Sequence, residues 1–297
     1  MWVENGADVL SKTLARTAQV IPEEVVHRKI MINDHSNDDT PHIGKEFNWE
    51  IHDNPGSGIS NAANYALSMV DCPHFMSLEH DLLLAKEWFN LVPPLLEEDE
   101  KVAVASGIRF DVTPDSWHEL QKYVYKEYFK PVVAPYLRKR KLGLYTLGKT
   151  LDNTLYKTKV IRAVGGFPFM RTNCGQDHIL TFILLKHGYR WVVEPRCISE
   201  HMRYSFKKIL HHHTWYGGCM TEVTQRMKEE DLVPPTDFGI VPPSLAEETK
   251  RLIQSIGAGV FMATRTRKPK IVLVHPLIKL YHFVGHFQSY INNGFAS

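Results

Sequence analysis

Cysteine is scarce in this chain, and what there is forms no framework. The 297 residues hold Cys72, Cys174, Cys197 and Cys219, far apart and with no CxxC pair. That spacing signals neither a zinc ribbon nor a disulfide scaffold and predicts reduced, mostly buried thiols. An excess of one charge is missing too. Lys and Arg number 35 against 33 Asp and Glu, a net +2, so no overall field draws the chain to nucleic acid, and none is expected as a partner. The opening Met1-Trp2-Val3-Glu4-Asn5-Gly6 lacks the basic-then-apolar pattern of a secretory signal, and a cytoplasmic location is expected. What is present is ordinary globular composition, 43% apolar and 23% charged, enough for one large domain or two modest ones. Histidine stands out at 16, so net charge will climb steeply in mild acid.

Apolar periodicity and turn formers alternate along the first two hundred residues. A helix is expected over 7–20, where Val9, Leu10, Leu14 and Ala18 fall at helical spacing and Pro22 stops the run. Residues 28–33 read as a buried strand that delivers the acids of 34–39 to its carboxyl edge. Strands over 49–52, 74–78 and 102–108 and helices over 59–70 and 85–96 continue the pattern. Such alternation predicts βαβ units and a mainly parallel sheet, with ligands beyond the carboxyl ends of its strands. Residues 117–141 are aromatic and basic and read either as a lid-like insertion or as an amphipathic helix packed on the core. Further on, a strand near 153–156, helices over 160–164 and 177–187, a strand at 189–193, a second strand ending near His201 and one helix over 205–227 are expected. The Pro-rich stretch 233–243 reads as a connector to a separable tail.

Several acids fall at element edges on what this topology makes one rim. Glu79 and Asp81 sit at i and i+2 as a strand ends, so both carboxylates point to one face and can approach one hard cation. Oxygen donors suit Mg²⁺ or Mn²⁺ better than zinc. Asp177 opens a helix, where it can serve simply as a cap. Asp34 ends a strand, and His201 ends another, where it can reach the rim or remain an ordinary surface histidine.

These residues carry a family resemblance. The run Asn33-Asp34-His35-Ser36-Asn37-Asp38-Asp39-Thr40 resembles the DDxSxDxT element of family 2 glycosyltransferases, and Gly58-Ile59-Ser60-Asn61-Ala62-Ala63-Asn64 resembles the helix that follows it. Glu79-His80-Asp81 is similar to the family's DxD motif, Gly165-Gly166-Phe167 to its GGF turn, Gln176-Asp177 to its ED pair, and Lys186-His187-Gly188-Tyr189 to its KxGY, in order from about residue 5 to 205. The resemblance implies the GT-A fold: an α/β domain with a mainly parallel, Rossmann-like central sheet flanked by helices, here with a helical C-terminal extension. The catalytic domain would span 1–230, nucleotide-binding over about 1–110 and acceptor-binding over about 111–230, with the extension at 231–297. It also implies sugar transfer from a nucleotide-diphosphate donor to a hydroxyl of a glycan or lipid-linked acceptor, with inversion. Asp34 would contact the nucleoside, Asp81 and His201 would hold Mn²⁺ or Mg²⁺, and Asp177 would be the general base. Asn5, Ser36, Asn64, Glu79 and Gln176 would line the donor site.

Four positions depart from the family pattern. Asn33 and Glu79 each stand where an Asp is usual, Ala63 replaces an Arg, and only Met1 to Glu4 remain where the first strand should lie, so that strand is expected to be missing or replaced. A non-catalytic nucleotide- or glycan-binding homologue is the alternative these departures raise. A nucleotidyltransferase is the other, but the Gly-rich, Lys- or Arg-containing phosphate loop it would carry is absent. His211-His212-His213 cannot share one ion, because successive helical residues diverge by about 100°, and they read as a solvated or interfacial helix face. In the tail, Arg265, Arg267, Lys268 and Lys270 precede an aromatic, apolar stretch broken by polar residues, a poor membrane span. It suits either the surface of an anionic bilayer or packing against the catalytic domain.

Overall fold

A computed structural model describes residues 1–112, 116–124, 126–127, 150–203, 205–232 and 244–294. The chain divides into two compact units: Met1–Arg109 with Leu142–Phe169 and Gln176–Met202, and Phe110–Lys141 with Met170–Gly175 and Arg203–Ser297. The expected lid-like stretch lies largely outside the described residues, as does the Pro-rich connector.

The first unit begins with β1 (Trp2–Val3), α1 (Leu10–Val20), β2 (Ile30–Asn33), α2 (Thr40–Glu46) and β3 (Glu50–Asp53). The strands pair in parallel in the order β1-β2-β3. Helix α1 buries Leu10, Thr13 and Leu14, at the i, i+3 and i+4 positions of one face, which is how a short amphipathic crossover covers a sheet. The strand expected to be missing is thus present as β1, two buried residues held by Ile32 N–H donating to Met1 O at 2.9 Å and Asp34 N–H to Val3 O at 2.7 Å. Two residues suffice because apolar Trp2 sits opposite the fully buried Ile32 and Val3 opposite the buried Asn33.

After α3 (Gly58–Met69) come β4 (His74–Ser77), β5 (Leu82–Leu83), α4 (Trp88–Leu91) and β6 (Val102–Asp111), which is followed in the chain by α5 (Ser116–Val124) of the second unit. The first unit resumes with β7 (Thr154–Lys157), α6 (Thr158–Ala163), α7 (Gln176–Lys186) and β8 (Arg190–His201). A second sheet has the order β4-β7-β6-β8-β5. Its β4–β7, β6–β7 and β5–β8 ladders are antiparallel, whereas β1-β2-β3 pair in parallel. A bridge from Trp2 to Glu79 joins the edges of the two sheets.

Two expected elements differ for local reasons. The helix expected over 85–96 is only α4 followed by a 3₁₀ turn at Pro93–Leu96, since neither Pro93 nor Pro94 has an N–H to donate. Two expected strands are one, β8, which runs through Pro195; Glu194 accepts from the Arg196 N–H at 2.9 Å, so the backbone beyond the proline keeps a partner.

In the second unit, the helix expected over 205–227 is two, α8 (Phe206–Gly218) and α9 (Met220–Glu229), interrupted at Cys219. α10 (Leu245–Thr266) is capped by Ser244, whose hydroxyl accepts from Glu247 N–H at 3.2 Å, and ends at Arg267 in the left-handed region with φ 57°. α11 (Ile271–Gly294) follows. It crosses α8 closely enough that a Cβ on Gly217 would strike the His282 carbonyl, and one on Gly285 the Thr214 carbonyl. A core of Leu120, Ile209, Met262, Ile271, Val274 and Ile278 ties α10 and α11 to α5 and α8, so the expected separable tail is an integral part of this unit. Of the three consecutive histidines, His211 is exposed and His213 packs edge-on against Trp117 at 5.6 Å, an interfacial face rather than an ion site.

Candidate active site

The acids and amides after β2 first serve to lock loops together. Asn5 has φ 48°, a conformation Asn tolerates, and its Oδ1 accepts from Asn37 N–H at 3.0 Å while its own N–H donates to Ser36 Oγ at 3.0 Å. Gly6 N–H donates to Thr40 Oγ1 at 2.8 Å and Ala7 N–H to Asp38 Oδ2 at 3.1 Å. The β1 loop is thereby fastened to the β2 loop. Asn33, standing where an acid is usual, donates to Asp53 at 2.8 Å and accepts from Ser36 N–H at 3.1 Å, tasks of which only the second suits a carboxylate. Asp34 accepts from Asn54 Nδ2 at 2.8 Å and from Gly58 N–H at 2.9 Å, so the first turn of α3 points a backbone donor at it.

A second cluster gathers where β4, β6 and β8 end. Glu79, Asp81 and His201 place one donor atom each within 4.8 Å of one another, as a single cation would require. His201 is almost wholly buried and its Nε2 lies 3.0 Å from Asp81 Oδ1 and 3.6 Å from Glu79 Oε2. β5 pairs antiparallel with β8, Leu82 opposite His201, and Met202 N–H donates to Asp81 O at 2.8 Å. That short ladder brings Asp81 to His201. Two carboxylate oxygens and an imidazole fit a hard to borderline divalent ion such as Mn²⁺ or Mg²⁺.

Two partners of this cluster escape a reading by motif. Arg109, near the end of β6, has Nη1 at 3.2 Å from Glu79 Oε2, 2.8 Å from Asp152 Oδ2 and 3.2 Å from His201 Nδ1. Asp152 is fully buried, and its Oδ1 has no hydrogen-bond partner. Burial pushes the Asp152 carboxyl upward, with Arg109 pulling the other way. Burial also acts to raise Glu79, but the His201 hydrogen bond and the Arg109 charge outweigh it and hold Glu79 down at about 2. Asn153 fixes this corner. At φ 57° it accepts from Gly107 N–H at 3.3 Å, donates to the Ile108 carbonyl at 3.2 Å and receives the Trp88 indole N–H at 3.2 Å. The signal available beforehand was a lone Arg in an apolar run and an Asp-Asn before a strand, neither distinctive.

Asp177 lies in the first turn of α7, partly exposed, with Oδ1 accepting from His178 N–H at 2.9 Å. Its neighbour Gln176 is buried and donates to Ser60 Oγ at 3.2 Å, which sets the start of α7 against the first turn of α3, whose Gly58 N–H donates to Asp34. Asn64 is engaged elsewhere: its amide donates to Phe167 O and accepts from Phe167 N–H, both at 2.8 Å, bracing the Gly165–Phe167 turn. There Gly166 has φ 84°, and a Cβ would collide with the Asn64 amide oxygen. Ala63 is buried in the core beneath, with no room for the charge usual at that position. Burial raises the Tyr156 phenol, and the charges of Asp152 and Asp177 both raise it further.

No curated protein sequence matches the chain. Among solved structures, the mannosyltransferase PcManGT from Pyrobaculum calidifontis in complex with GDP-Man and Mn²⁺ superposes with a TM-score of 0.66 at 14% identity, covering 98% of this chain and 86% of that one. Glucosyl-3-phosphoglycerate synthase from Mycobacterium tuberculosis, with Mn²⁺, UDP and phosphoglyceric acid, gives 0.55 at 11% identity over 79% of this chain and 78% of its own. TarS from S. aureus with UDP-GlcNAc gives 0.51 at 13% identity, covering 99% and 90%. At these identities the likeness is one of fold, the GT-A fold. The model of the family "Glycosyl transferase family 2" matches residues 4–165, more than half of the chain, and this protein belongs to that family.

Proposed function

We propose that this glycosyltransferase moves a sugar from a nucleotide-diphosphate donor to a hydroxyl of a glycan or lipid-linked acceptor in one inverting displacement. The observation that carries the reading is the convergence of Glu79, Asp81 and His201 on one cation-sized space, in the same compact unit as Asp34 and Asp177. A divalent ion held there, Mn²⁺ or Mg²⁺, would neutralise the departing diphosphate as a Lewis acid. Asp34, which accepts from the Gly58 N–H at the first turn of α3, and the Asn5–Ser36 brace would shape the nucleoside end. Gln176, fixed to Ser60, would set the pitch of the α7 turn against the donor. Asp177 would take the acceptor hydroxyl proton as the new bond to the anomeric carbon forms and the bond to the diphosphate oxygen breaks, a contribution of roughly 10²- to 10⁴-fold. Arg109 touches the Glu79 oxygen that would face the ion, so it tempers the charge of the ligand set and holds its geometry.

Asp177→Asn tests the base. The variant is expected to bind nucleotide sugar as the parent does, by calorimetry with Mn²⁺, while transfer to acceptor falls at least about 10²-fold. Undiminished turnover would remove Asp177 from this role. Tight donor binding by the parent with no turnover on any acceptor would favour a non-catalytic homologue.

A further inference from the structure

The second unit carries apolar surface that its own core does not use. On α10, Ile253, Ile256, Val260 and Phe261 recur at helical spacing and are 51% to 65% exposed, on the side opposite the buried Ser255, Gly259 and Met262. On α11, Leu273, Leu280, Phe287 and Ile291 are 40% to 68% exposed and share one stripe about 27 Å long, opposite the face that packs on α8. Large aliphatic and aromatic side chains in such runs are unusual on a protein surface and mark a contact with something else.

Charge narrows what that something is. From Leu252 to Gly294 there is no Asp or Glu, while Arg265, Arg267, Lys268, Lys270 and Lys279 are all cationic, so the rest of the chain is net acidic. Four of these cluster at the turn between the helices, exposed, with Arg265 stacked over the Phe261 ring at 5.4 Å. A second copy of the same face would meet like charge with like. A membrane with anionic headgroups offers both an opposite charge and an apolar layer beneath it. No helix among the described residues is long and apolar enough to cross a bilayer, which leaves lying on it.

We propose that the α10–α11 hairpin is a docking surface for an anionic lipid bilayer, with Arg265, Arg267, Lys268 and Lys270 at the headgroups and the exposed stripes of the two helices in the interface. This goes beyond glycosyl transfer and does not depend on it. Docking would deliver the enzyme to acceptors embedded in, or presented at, that surface.

The test is co-flotation of the full chain with phosphatidylcholine vesicles, with and without phosphatidylglycerol. Binding is expected only with phosphatidylglycerol and is expected to weaken as salt shortens the Debye length. The triple substitution Arg267→Glu, Lys268→Glu and Lys270→Glu should reduce the bound fraction at least about ten-fold. The pair Leu280→Ser and Phe287→Ser, both at exposed positions, should reduce it comparably while circular dichroism and turnover on a water-soluble acceptor stay unchanged. Asp177→Asn should float like the parent, so failure of the catalytic reading and failure of this one are distinguishable. Equal binding to neutral vesicles, no binding by folded protein, or a concentration-dependent dimer that the serine pair dissolves would each overturn the proposal.

Discussion

The two compact units differ in how their best-defined ionisable clusters meet burial. In the first, Glu79, Asp81 and Asp152 are grouped about Arg109 and His201, so burial is offset by paired charge, and Glu79 is held at about 2. In the second, Glu248 keeps its charge against His282, but two histidines meet burial by giving charge up. Burial pushes His213 down to about 4, with His282 and Lys279 lowering it further and Asp111 opposing, and it pushes His275 to about 4, aided by Lys279. A cation site needs charges that persist at neutral pH, whereas a helix interface needs groups that can become neutral when helices close on them.

The sharpest way to break that contrast is at Asp81. Asp81→Ala should abolish Mn²⁺-dependent donor binding, read by calorimetry with and without the ion, while the helical unit keeps its far-ultraviolet signature. Normal Mn²⁺-dependent binding would separate the cluster from the donor site altogether. Next in size is Arg109→Ala. It leaves Asp152 buried without its cation, which costs about 3–5 kcal/mol by denaturant unfolding; adding Asp152→Asn should recover part of the loss, because the orphaned charge is then gone. In the second unit the corresponding lesion is steric. Gly285→Val drives a side chain into the Thr214 carbonyl and should cost about 1–3 kcal/mol without altering Mn²⁺ binding.

The two units also respond to acid in different pH windows. His213 and His275 have folded values near 4, below the ordinary 6.5, so between those limits the unfolded chain binds protons the folded chain refuses. Stability of the helical unit should therefore fall as pH drops from 6.5 towards 4. Glu79 works in a lower window: its contribution is fully present above 4.5 and is lost as pH falls towards 2. His213→Phe should flatten the upper window. Loss of helical signal at the same pH in that variant and its parent would show that His213 does not govern it.

Much of the fold was legible because it rests on local pattern. The helical face of α1, the apolar Ile30–Asn33 strand with its trailing acids, and the Gly-Gly-Phe turn all announce themselves within a dozen residues. Elsewhere, contacts between residues distant in the chain decided. The two-residue β1 is a strand only because Ile32 lies beside it; β8 survives Pro195 through Glu194; and the tail belongs to the helical unit because Gly217 and Gly285 let α8 and α11 close together.

The same division holds at the site. Sequence alone determined which residues carry oxygen donors at strand and helix edges, since the alternation of apolar runs with turn-forming acids is a property of neighbours in the chain. Only tertiary structure decided that Glu79 and Asp81 meet a histidine 120 residues past Asp81, and that Arg109 and a buried Asp152 stand behind them. The reason is physical. A strand's direction places a side chain on a rim, but which distant strand shares that rim, and how far burial and a neighbouring cation shift its proton affinity, depends on packing that no local pattern encodes.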